Sequence, residues 1–179
     1  MPKTKSNNNK TPYLLALTRM ALGFTFLWAF LDKLFGLGFA TCRDAQTEAV
    51  TTMCSKAWIN GGSPTAGSLQ GATRGPFESF YQSLAGNGFI DVLFMAGLLL
   101  IGLALIAGIG MRIATISGVI LMMMMWSATL LPENNPILDD HIIYSLVLLT
   151  LLAANSQQKW GLRDWWISQS VVKRLPILE

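Results

Sequence analysis

One histidine, two cysteines and a charged fraction of 13% leave this 179-residue chain few ways to build a redox or metal centre of its own. A single imidazole cannot supply the paired histidines common for haem in a helical bundle, no Cys-x-x-Cys-His occurs, and two cysteines cannot hold an iron–sulfur cluster. No flavin or dinucleotide signature is present either. Gly108-Ile109-Gly110 closes an apolar run and does not follow a strand, which is where a nucleotide-binding turn belongs. His141, with Asp139, Asp140 and Glu133 nearby in sequence, lacks the regular ligand spacing of a metal site.

What the chain has in excess is apolar length. Hydrophobic residues make up 52% of it. They gather into crossings expected at about 13–37, 91–110, 113–131 and 137–155, each near the roughly 20 residues that a helix needs to span a bilayer. The first run is about 38 Å of helix, longer than the roughly 30 Å hydrocarbon core, so a polar end protrudes. The second and third runs are separated by little more than Met111 and Arg112 and must be antiparallel neighbours. The fourth opens with Asp139, Asp140 and His141 and needs its flanks to span. The expected fold is an all-α integral membrane protein, a four-helix transmembrane bundle.

Charge sorts by side. With the N-terminus inside, the inner groups are Lys3, Lys5, Lys10, Arg19, Arg112, Lys159, Arg163, Lys173 and Arg174 against Asp164 and Glu179. The outer groups are Lys33, Arg43, Lys56 and Arg74 against Asp32, Asp44, Glu48, Glu78, Asp91, Glu133, Asp139 and Asp140. The basic excess inside fixes an N-in, C-in orientation. The net charge of +3 is then an inner rim facing anionic lipid, not a nucleic-acid surface. Residues 1–12 form a basic cytoplasmic tail, 13–155 the membrane domain, and 156–179 a cytoplasmic segment. In the last, Trp160, Leu162, Trp165, Trp166, Val171 and Val172 alternate with bases, as in an amphipathic stretch lying on the inner interface.

The first apolar run is too long for a signal-peptide core and ends in Asp32 and Lys33, so it is expected to stay as an anchor. Phe39-Ala40-Thr41-Cys42 is a poor lipoprotein cleavage site. Cys42 and Cys54 fall in the long outer loop 38–89, where thiols oxidise, and a structural disulfide contributing roughly 3 kcal/mol is expected. A redox-active pair is the alternative, although the spacing is far from Cys-x-x-Cys. The loop is rich in Gly and Pro. A lid over the bundle mouth and a plain connector are both open readings. Phe77, Phe80, Tyr81 and Leu84 form a helical stripe expected on the outer surface.

Polar residues converge at the outer ends of the crossings. Asp32 and Lys33 lie about 28 Å along the first helix from Tyr13. At the same depth come Glu133, Asn134, Asp139, Asp140 and His141, with Asn60 able to fold over them and Tyr144 one turn further in. Ionisable groups there are costly unless paired or hydrated, which points to an outer polar pocket. Taken singly, each also has a structural use: helix-dipole pairing for Asp139 and Asp140, snorkelling for Lys33, turn formation for Asn134. His141 suits proton exchange near neutral pH. Arg19, about 9 Å from the inner end, reads as a snorkelling or lipid-phosphate residue. Met122 to Met125 read as adaptable packing, and Gly97, Gly102 and Gly108 as points of close helix approach.

Three blocks together carry a family resemblance: Arg19 followed by Trp28-Ala29-Phe30-Leu31-Asp32-Lys33-Leu34-Phe35-Gly36; Ala57-Trp58-Ile59-Asn60-Gly61-Gly62-Ser63-Pro64-Thr65; and Pro132-Glu133-Asn134-Asn135-Pro136 leading into Asp139-Asp140-His141-Ile142-Ile143-Tyr144. The chain resembles the DoxX/DoxD family of bacterial and archaeal plasma-membrane proteins from Tyr13 to Gly161. The resemblance implies a four-helix bundle and, for the DoxD branch, the membrane subunit of a thiosulfate:quinone oxidoreductase with a second subunit as partner and quinone as a diffusible substrate. On that reading Lys33 holds the sulfur anion, Asp32 beside it is a further catalytic candidate, His141 and Asp140 manage quinol protons, and Trp28, Asn60, Tyr144, Glu133 and Asn134 shape the substrate site. The alternative is a non-catalytic scaffold or accessory subunit of a respiratory or redox-stress complex.

Overall fold

The computed structural model describes residues 10–132, 135, 137–155 and 159–179. Helices dominate, and the described residues hold no strand, only isolated bridges that join Arg43 to Val50 and Arg74 to Thr129. Helix α1 (Thr11–Phe35) starts with Pro12 in its first turn and stops at Gly36, whose left-handed backbone lets its N–H reach Asp32 O at 2.7 Å. Loop helices α2 (Ala66–Gly71) and α3 (Glu78–Leu84) follow. Next come α4 (Gly88–Ala107), capped by Asn87, α5 (Met111–Ala128), and α6 (Asp140–Ala153), capped by Asp139. Short α7 (Arg163–Ser168) and α8 (Ser170–Arg174) end the chain.

Three of these helices, α1, α4 and α5, are long and apolar enough to cross a membrane. Their outward faces are apolar too: Leu17, Phe24, Leu93, Leu100, Ile116 and Ile120 are all exposed. A water-soluble bundle hides such residues, whereas lipid solvates them. These features mark a membrane protein. Helix α6 has 14 residues, about 21 Å, and is shorter than the expected fourth crossing.

The long helices close a ring in which α1 packs on α4, α4 on α5, α5 on α6 and α6 on α1. Leu22, Phe26, Leu98, Ile101, Leu105, Met122, Leu148 and Leu151 fill its centre. Apolar burial gains little when the competing solvent is lipid, so close backbone approach carries more of the association. At the α1–α4 seam, a Cβ on Gly102 would sit 2.9 Å from Leu27 N, and one on Gly23 would sit 2.9 Å from Leu105 Cβ. Gly102 thus behaves as expected, with Gly23 as a partner that the sequence reading missed. Gly97 has open space around it, so close approach does not explain it. Gly108 instead ends α4 in a left-handed conformation. Met122 is a core residue, while Met124 and Met125 face outward.

The α4–α5 turn, both described chain ends and α7–α8 share one end of the bundle, the terminus end. Arg112 holds the tail there through its backbone N–H to Glu179 O at 2.8 Å, Nη1 to Pro176 O at 3.0 Å, and an ion pair with Glu179 at 3.2 Å. Val172 packs inward while Trp165 and Val171 are exposed, which gives the tail the two-faced character expected of it.

Candidate functional site

The opposite end, the loop end, carries the polar residues singled out from the sequence, and buried carboxylates organise it. Asp32 is 1% exposed. Its carboxylate accepts the backbone N–H groups of Phe39 at 3.0 Å, Ala40 at 2.9 Å and Thr41 at 3.0 Å. One charge thus satisfies three amides that would otherwise lack partners just past the helix end. Asp91, in the first turn of α4, does the same for the second half of the loop. It accepts Ser63 Oγ–H at 2.9 Å, Thr65 N–H at 3.1 Å and Thr65 Oγ1–H at 2.6 Å. The sequence reading placed Asp91 only among the outer acids. Its signal was an acidic residue opening the most apolar helix, a position that needs nearby donors.

Cys42 and Cys54 form a disulfide. It packs directly on the end of α1, where a Cβ on Gly36 would meet Cys42 Sγ at 2.3 Å. Met53 N–H donates to Phe35 O at 3.0 Å, which ties the same segment to the helix. Asn60, exposed, donates through Nδ2 to Met53 O at 2.6 Å and Cys54 O at 3.3 Å. It therefore braces the disulfide turn, and Gly61 follows it in the left-handed region. Trp28 stacks edge-on with Phe39 at 5.1 Å and clamps the loop just after the Asp32 cradle.

The third part of the loop rests on α5. Arg74 N–H donates to Ala128 O at 2.9 Å, and the Tyr81 and Ser127 hydroxyls meet at 2.7 Å. The predicted aromatic stripe forms α3 with Tyr81 buried, while Phe77 and Phe80 remain exposed. Loop 38–89 is therefore fastened at α1, α4 and α5 in turn.

Two groups keep chemistry of their own. Lys33 is half-buried beside Phe94, with Nζ 5.9 Å from the ring centroid, and makes no ion pair among the described residues. Its sequence neighbour Asp32 is already occupied by amides. His141 pairs through Nδ1 with Asp139 Oδ2 at 2.7 Å, while Asp139 Oδ1 accepts the His141 and Ile142 N–H groups at 3.1 and 3.2 Å. The carboxylate thus caps α6 and orients the ring together. Asp140, expected to share proton handling with His141, is exposed, and Asp139 is the residue bonded to the imidazole. Tyr144 packs against the core. Glu133 and Asn134 lie outside the described residues.

No hydrogen bond or ion pair among the described residues joins Asp32, Lys33 or Asn60 to Asp140 or His141. Among the described residues, no group of three His, Cys, Asp or Glu side chains gathers as metal ligands would. Comparison with protein-family models, with curated proteins and with solved structures yields no match.

Proposed function

We propose that this chain is the four-helix membrane subunit of a DoxX/DoxD-like, quinone-linked oxidoreductase, with N- and C-termini inside and the fastened loop on the outer face of a bacterial or archaeal plasma membrane. Helix α6 completes the bundle as a short fourth crossing, its flanks and Asp139 cap reaching the interface. One observation carries the reading. Lys33, a cation without an ion pair among the described residues, shares the loop end with a carboxylate-oriented imidazole.

The chemistry follows from these two groups. Thiosulfate is a dianion, and a half-buried ammonium whose neighbouring carboxylate is taken up by amides is suited to hold it. Two thiosulfates each lose one electron and join through a new S–S bond as tetrathionate. The two electrons and two protons convert a quinone to its quinol. With Asp139 ionised, His141 donates Nδ1–H to it and presents Nε2 for proton exchange. Asp32, Asn60 and Trp28 hold the surrounding loop, so they position the site without touching the reacting atoms.

A second reading, a non-catalytic scaffold whose loop docks a partner, is favoured by the same engagement of Asp32 and Asn60 in loop architecture. Lys33→Ala and His141→Ala separate the two. Both substitutions lower thiosulfate-dependent quinone reduction at least about tenfold on the first reading, and neither changes complex assembly. On the second, activity is absent throughout and partner capture survives both substitutions.

A further inference from the structure

The terminus end holds a second polar site, which the proposed reaction does not use. Arg19 is 1% exposed and has no carboxylate within ion-pair distance among the described residues. Its Nη2 donates to Trp160 O at 2.7 Å and Lys159 O at 3.4 Å. Its Nε is buried without a partner among the described residues. A guanidinium has five N–H donors, so two carbonyls leave it under-satisfied in both hydrogen bonding and charge.

The chain makes room for this group. A Cβ on Gly108 would lie 1.5 Å from Arg19 Nη1, and one on Gly161 would lie 2.8 Å from it. Two glycines, on the α4–α5 turn and at the entrance to the tail, therefore flank the guanidinium. Beside it is a cavity of about 180 Å³ that Lys159, Arg163 and Asn155 also line. The Arg163 Nε is likewise buried and unpartnered among the described residues. Among the described residues the one carboxylate at the rim, Asp164, is 99% exposed and meets Arg163 Nη1 only at 3.6 Å. Three bases and one solvated acid of the described residues line the cavity.

We infer that this cavity binds a phosphate oxyanion, held by the Arg19 and Arg163 guanidinium groups and by Lys159. Planar guanidinium forks match phosphate oxygens, and a compact ammonium adds charge without geometric demand. The cavity lies beside exposed aromatics, with the Trp160 and Tyr13 rings tilted against each other at 5.3 Å, as at a lipid headgroup layer. An anionic lipid headgroup and free phosphate supply the same oxyanion.

The test uses delipidated full-length protein in a neutral detergent and reads the shift in thermal unfolding midpoint. One arm adds phosphatidylglycerol against phosphatidylcholine. The other adds inorganic phosphate against chloride at equal ionic strength. Wild type and a Lys159→Gln/Arg163→Gln double variant are compared, since Arg19 is tethered by the backbone carbonyls of Lys159 and Trp160, which these side-chain changes leave in place. The expected result is stabilisation of wild type by at least one phosphate source, with affinity about tenfold weaker in the double variant. A response to phosphatidylglycerol alone assigns the site to lipid headgroups, and a response to inorganic phosphate assigns it to the free anion. No response to either source, or an equal response in the double variant, overturns the inference.

Discussion

At the scale of single residues, the loop end is governed by which acids are already bonded. Asp32→Asn replaces a charged acceptor with an amide whose NH₂ must face at least one of the three N–H donors, since Oδ1 accepts Phe39 and Oδ2 accepts Ala40 and Thr41. It should cost about 2–4 kcal/mol, read as a lowered unfolding midpoint in detergent, whereas Asp91→Asn should cost less, because the Ser63 and Thr65 donors all meet Oδ1 and an amide oxygen can take that place. Asp44 offers a test in pH. The Thr47 backbone N–H, then the Thr47 hydroxyl and the Gln46 N–H, hold its carboxyl below the ordinary carboxylate range. A depressed folded value means that the turn is fully supported above the unfolded pKa of about 3.9 and loses that support as pH falls through the folded one. Thr47 amide protection should therefore be flat above about pH 5 and decline in acid, and Asp44→Asn should remove the pH dependence. The sequence pointed to Asp32, Lys33 and His141 as chemically unusual, because charge at the end of an apolar run is legible without coordinates. It did not say that Asp32 and Asn60 answer to the loop, or that Asp139 holds His141. Those facts depend on how a 50-residue segment folds back, which no local pattern encodes.

At the scale of elements, the helices were legible because lipid imposes length and hydrophobicity on each of them separately. The expected crossings 13–37, 91–110 and 113–131 compare with Thr11–Phe35, Gly88–Ala107 and Met111–Ala128. The fourth, expected at 137–155, compares with Asp140–Ala153, and Ile137 and Leu138 lie outside the helix. Both are exposed, and their N–H groups donate to the Asn135 side chain, so the helix starts only after the Asp139 cap. Helix contacts were less legible, since a glycine's value depends on what faces it. Gly102→Ala should therefore destabilise the α1–α4 seam by about 1–3 kcal/mol, while Gly97→Ala, with open space around it, should be neutral or gain up to about 1 kcal/mol of helix propensity. Chemical unfolding of the two variants side by side checks the contrast. The disulfide belongs to this scale as well. Its packing against Gly36 and the Asn60 brace point to a structural staple, so Cys42→Ser/Cys54→Ser should lower stability by about 3 kcal/mol and leave any quinone-linked activity of the folded fraction intact.

For the molecule as a whole, the arrangement is a lipid-facing ring with two polar ends of different character. The loop end is built on buried acids and closed by a loop fastened at three helices. The terminus end is built on bases, with Arg19 between Gly108 and Gly161 and Arg112 holding the tail. The proposed orientation places the basic end inside. Single-cysteine labelling in a cysteine-free background should thus reach position 46 from outside intact cells and position 170 only after permeabilisation. The proposal that the loop end performs quinone-linked sulfur-anion oxidation is tested most directly by thiosulfate-dependent reduction of a soluble quinone analogue. It should be measured in membranes with and without the protein, and with Lys33→Ala and His141→Ala at matched expression, candidate partner chains being present throughout. The account predicts protein-dependent reduction that falls at least about tenfold in both variants. Protein-independent reduction, or activity unchanged by either substitution, would contradict it.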